Sequence, residues 1–73
     1  MMTDRIEINL SVRHGQPVIR GARIPVELIL RRLSEGATEA DLLAAYPHLT
    51  RADIQAALAY AADALAHETI LLL

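Results

Sequence analysis

The 73-residue sequence predicts a mainly α fold: a three-helix helix-turn-helix bundle preceded by a short N-terminal β-hairpin. Ile6, Ile8, Leu10 and Val12 alternate with Glu7, Asn9, Ser11 and Arg13, the period of two of a strand with one buried face. Beyond Pro25 the apolar residues recur at three- and four-residue intervals, the period of helices. Two Thr-x-x-Asp start signals, at Thr38 and Thr50, divide that stretch into three helices.

His14-Gly15-Gln16 supplies a turn after the first strand, and Pro17-Val18-Ile19-Arg20 returns as a short second strand with proline at its start. The hairpin therefore covers residues 5–20. Two strands alone are marginal in water and require a helix beneath them or strands from a second subunit. Ile6, Ile8, Leu10 and Val12 are accordingly candidate dimer residues.

Gly21 admits backbone angles that other residues avoid, and Pro25 sits where a first helical residue would, its missing N–H being no loss there. Val26, Ile29, Leu30 and Leu33 share one face of the first helix, Glu27 and Arg31 form an i,i+4 pair on another, and Gly36 ends it. Thr38 with Asp41 reads as a capping box with aspartate in place of glutamate, opening a short helix whose Leu42, Leu43 and Tyr46 point inward. Pro47 stops that helix. Thr50 with Asp53 repeats the signal, and the third helix carries Ile54, Leu58, Ala61 and Leu65 at spacings of four, three and four, running to about His67. Short helix, Pro47–Thr50 connection and longer helix make a helix-turn-helix arrangement, one that many small bundles also share.

A chain this short buries only about 60% of its unfolded surface. Cysteine is absent, and His14, His48 and His67 are too scattered for a zinc site, so neither disulfide, metal nor cofactor is expected. Oligomerisation is the remaining way to reinforce the core. The composition is 53% hydrophobic with only Tyr46 and Tyr60 as aromatics, an aliphatic, alanine-rich mass that argues for a protein–protein interface. No run of about 18 apolar residues and no leader pattern is present, so a cytoplasmic protein with no membrane partner is expected. No base–nucleophile pair, paired carboxylates or phosphate-binding glycine loop suggests an enzyme.

Charge is distributed unevenly. Residues 1–32 hold six arginines against Asp4, Glu7 and Glu27, net +3, whereas residues 33–73 hold Arg51 against six acids, net −5. Arg20 and Arg23 flank Gly21 in the basic half and either grip phosphates or tie the hairpin loop to the acidic helices. Arg31 and Arg32 complement the first helix's C-terminal dipole or contact DNA. Arg51 and Gln55, at the start of the third helix, are the residue types that read bases. Asp53 and Asp63 would repel phosphate if they faced a groove, while the surrounding alanines suit a protein interface.

The run Gly15-Gln16-Pro17-Val18-Ile19-Arg20-Gly21-Ala22-Arg23-Ile24-Pro25-Val26, followed by Gly36-Ala37-Thr38, Leu42-Leu43, Tyr46-Pro47-His48-Leu49-Thr50, Asp53-Ile54 and Ala56–Ala61, resembles the domain-of-unknown-function family 433. The resemblance runs from about Ile6 to Leu65, with Ala22 where the family typically has threonine. It implies a homeodomain-like fold, commonly dimeric, in an antitoxin-like protein often encoded beside a PIN-like ribonuclease that it restrains. On that reading the protein is the antitoxin of a bacterial type II toxin–antitoxin system, binding operator DNA and neutralising the toxin. The alternatives are a dimeric interaction module or a standalone transcription regulator. Tyr60, Glu68, Ile70, Leu71, Leu72 and Leu73 are candidate partner-binding residues. The four closing aliphatics either fold back on the core or dock in a partner's groove, as antitoxin tails do.

Overall fold

A computed structural model of the chain describes residues 4–8 and 15–67. Strand β1 (Ile6–Ile8) and strand β2 (Pro17–Ile19) precede helices α1 (Val26–Ser34), α2 (Glu39–Ala45) and α3 (Arg51–Ala66). The fold is mainly α, three helices behind an N-terminal antiparallel hairpin.

β1 and β2 pair Ile6 with Ile19, Glu7 with Val18 and Ile8 with Pro17. The other edge of β2 meets Pro25 through a bridge from Val18, so the chain doubles back on itself through a four-residue turn, Arg20–Arg23. Ile19 N–H donates to the Ile24 carbonyl at 2.8 Å, and Arg23 N–H donates to the Ile19 carbonyl at 2.7 Å. Of the strand expected over the alternating residues, the described part is Ile6–Ile8; Leu10 and Val12 lie outside the described residues. Ile6 and Ile8 were expected on one buried face, yet Ile6 is 4% exposed and Ile8 48% exposed. The reason is that α3 packs beneath the start of β1, where Ile6 joins the core, while Ile8 escapes that cover.

Pro25 is the N-cap of α1 rather than its first helical residue. Its φ of −61° and ψ of 138° are extended, and its carbonyl accepts from Leu28 N–H at 3.1 Å and Ile29 N–H at 3.4 Å. Proline lacks a capping side chain, but its bridge to Val18 ties the helix start to the sheet. At the far end, Ala37 N–H donates to the Arg32 carbonyl at 3.0 Å and Gly36 N–H to the Leu33 carbonyl at 3.1 Å. With Gly36 at φ +102°, this is a Schellman cap, which uses a residue in the left-handed region to satisfy the last carbonyls.

Both capping boxes form. Thr38 Oγ1 accepts from Asp41 N–H and Asp41 Oδ2 accepts from Thr38 N–H; Thr50 and Asp53 repeat the exchange at α3. Ile19, Ile29 and Ile54 are fully buried at the centre of the core, with Ile6, Ile24, Val26, Leu42, Leu49, Ala56 and Ala57 around them. Leu28, Leu30, Leu33, Leu43 and Tyr46 pack on its margin.

The inward face of α3 differs from the expected Ile54–Leu58–Ala61–Leu65 series. Ile54 is buried as expected, but its buried companions are Asp53, Ala56 and Ala57, whereas Leu58 is 45% and Leu65 66% exposed. At the position where a leucine would hold neighbouring elements apart, Ala57 lets them approach closely, rotating Leu58 outward. No residue of α3 beyond Ala57 is fully buried.

Candidate functional site

Two surfaces gather the residues singled out by the sequence. One surrounds the turn Arg20–Arg23 after β2 and the start of α3; the other is the outer face of the second half of α3.

The first is organised by Arg5, which sequence reasoning counted only as charge. Its Nη1 donates to Asp53 Oδ1 at 3.0 Å, joining the start of β1 to the first turn of α3. Asp53 is 4% exposed, so it neither faces a groove nor repels phosphate there. The backbone N–H of Arg20 donates to the Arg5 carbonyl at 2.7 Å, and Arg20 Nε donates to the Asp4 carbonyl at 2.8 Å. Arg20 thus ties the turn to the N-terminal strand and not to the acidic helices; Arg5 makes that connection instead. Arg23 is exposed at φ +57°.

The remaining arginines of the nucleic-acid hypothesis face carboxylates of the same chain. Arg31 Nε donates to Glu27 Oε2 at 2.8 Å, with a second, shorter bond from Nη2, and this hydrogen bonding raises the Arg31 pKa further above its ordinary value. Arg32 lies 3.8 Å from Glu35, and Arg51 Nε lies 3.2 Å from Glu39 Oε1 on α2. The Arg31 and Arg32 pairs are solvent-exposed, where water screens an ion pair and leaves it little net stabilising effect. Gln55 is exposed one turn along α3 from Arg51.

The second surface is apolar. Leu58, Ala62 and Leu65 are exposed at spacings of four and three, with Ala59 and Ala66 exposed beside them. Arg51 and Gln55 continue the same stripe toward the helix start, again at spacings of four and three. Tyr60, expected to bind a partner, is partly buried against the core. Ile6, expected at a dimer surface, packs into the core of the single chain, while Ile8 of the same group is exposed and Leu10 and Val12 lie outside the described residues. Glu68, Ile70, Leu71, Leu72 and Leu73 lie outside the described residues.

Among the described residues, no group of three or more His, Asp or Glu side chains is arranged to hold a metal ion. None of the described helices is long and apolar enough to cross a membrane.

These elements define a small, mainly α domain with an N-terminal hairpin and a half-exposed third helix. The chain belongs to the family described as Protein of unknown function (DUF433), whose model matches residues 6–61. The crystal structure of a DUF433 member protein from Anabaena variabilis ATCC 29413 is similar, with a TM-score of 0.78 and 39% sequence identity over 84% of this chain. This chain spans 60% of the length of that protein. A comparison with curated proteins finds no match.

Proposed function

We propose that the protein is the antitoxin-like member of a bacterial toxin–antitoxin pair, a dimeric helix-turn-helix protein that binds DNA and holds a PIN-like ribonuclease through α3. The observation that carries this reading is the apolar stripe of Leu58, Ala62 and Leu65 on a helix whose second half buries no residue fully. On a small domain, a contiguous apolar face rimmed by polar residues marks a protein-binding surface. Alanines on that face allow a partner's backbone to approach closely, and the two leucines supply anchors. The class of partner, a PIN-like ribonuclease, is proposed from what the family resemblance implies.

The DNA-binding part of the proposal draws on a different surface. Arg20 and Arg23 on the turn after β2 are exposed, as are Arg51 and Gln55 at the start of α3. Here a second reading has specific support: Arg31, Arg32 and Arg51 face Glu27, Glu35 and Glu39, as in a module that binds protein alone.

Co-expression with the product of the adjacent open reading frame tests the proposal. A neighbour that arrests growth alone, is harmless with this protein and copurifies with it supports the antitoxin. A harmless neighbour that does not bind overturns it.

A further inference from the structure

We propose that the turn Arg20–Arg23 is a phosphate-contacting site for the backbone of duplex DNA, with Arg23 held in a strained conformation for that contact. The inference rests on the DNA-binding part of the reading above and narrows it to the two side chains of this turn and to phosphate as the group they contact.

Among the described non-glycine residues, Arg23 alone has a positive φ, at +57°. The left-handed region brings the Cβ of an L-residue too close to the following carbonyl, and glycine or asparagine occupies it more readily. The same turn uses glycine at its other positive-φ position, Gly21 at +93°. Hydrogen bonds hold the backbone in place: Arg23 N–H to the Ile19 carbonyl and Ile19 N–H to the Ile24 carbonyl. The guanidinium has no part in this; among the described residues the Arg23 side chain has no hydrogen-bond or ion-pair partner. An observed backbone outlier whose side chain adds nothing to the fold points to a role outside it.

The neighbouring charge has the same character. Arg20 is fixed by its bond to the Asp4 carbonyl, an uncharged acceptor, so its position is set while no carboxylate among the described residues pairs with it. This contrasts with Arg31, Arg32 and Arg51, each facing a glutamate. Two guanidiniums without a carboxylate partner among the described residues therefore stand exposed on one turn, separated by Gly21 and the partly buried Ala22. The apolar residues flanking the turn, Ile19 and Ile24, are buried, leaving it no apolar anchor of the kind found at the centre of protein interfaces. Phosphate contacts need none: they are made by arginines and fix register on the duplex without reading sequence.

The test uses the full chain and a short mixed-sequence DNA duplex, with affinity measured across a salt series, for the parent protein, Arg23→Ala and Arg23→Gly. Alanine removes the guanidinium and keeps the strained backbone; glycine removes both. The expected result is that both variants weaken binding and reduce the slope of log affinity against log salt by about one. Arg23→Ala is expected to keep the parental melting temperature, and Arg23→Gly to match or exceed it. An unchanged salt slope, or a lower melting temperature for Arg23→Ala, overturns the assignment. If the parent protein does not bind the duplex even at low salt, both the inference and the DNA-binding reading fall, while copurification with the toxin stands as a separate result. Loss of toxin copurification in Arg23→Ala with duplex binding intact overturns the inference in favour of a protein carboxylate.

Discussion

Arg5 Nη1 donates to Asp53 Oδ1 at 3.0 Å, joining residues 48 positions apart. The same aspartate caps α3 through the Thr50 backbone N–H, so one buried carboxylate both starts the longest helix and fastens the hairpin to it. Its neighbours satisfy both oxygens, which is the condition under which a buried carboxylate is tolerated.

Replacing Asp53 with alanine removes the cap and the ion pair together and is expected to destabilise the fold by about 2–3 kcal/mol. Arg5→Ala is expected to cost about 1–2 kcal/mol, less because the guanidinium is half exposed and screened by solvent. Urea denaturation of both single variants and the double variant measures the coupling; independent, additive effects would contradict this account.

The corrected orientation of α3 makes a contrast within one helix. Ile54→Ala, at a fully buried position, is expected to cost roughly 2–5 kcal/mol, enough to unfold much of a domain this small. Leu65→Ala, at a position two-thirds exposed, is expected to change stability by less than about 0.5 kcal/mol. Equal losses in thermal unfolding would show that the second half of α3 packs inward after all.

Much of this was legible in the sequence because it depends on local chemistry. Both capping boxes were readable from Thr38/Asp41 and Thr50/Asp53, since a cap is satisfied within four residues. Gly36 was legible as a helix end for the same reason. The face of α3 was not. Along an alanine-rich helix the leucines suggest the core, yet the side that neighbours can approach is the one with small residues, and that is decided by α1 and β1. Arg5 was missed because its partner lies 48 residues away.

The Schellman cap gives a local prediction. Gly36 has open space where a Cβ would stand, so Gly36→Ala meets only the backbone penalty of φ +102°. The expected loss is about 1 kcal/mol, or roughly 4–8 °C in melting temperature for a domain of this size. An unchanged melting temperature would mean that the turn relaxes out of the left-handed region.

Removing one hydroxyl at each capping box tests whether the two helices depend equally on their starts. Thr50→Ala and Thr38→Ala are each expected to cost about 1 kcal/mol by chemical denaturation. The larger loss is expected at Thr50, whose partner Asp53 is also engaged by Arg5.

The central claim is that the outer face of α3 holds a protein partner, and the most direct measurement is copurification of the adjacent gene product with a Leu58→Asp/Leu65→Asp variant. Both side chains are exposed, so the variant is expected to keep the parental circular dichroism spectrum and melting temperature while losing the partner. A folded variant that still retains the partner at the parental ratio would contradict the claim.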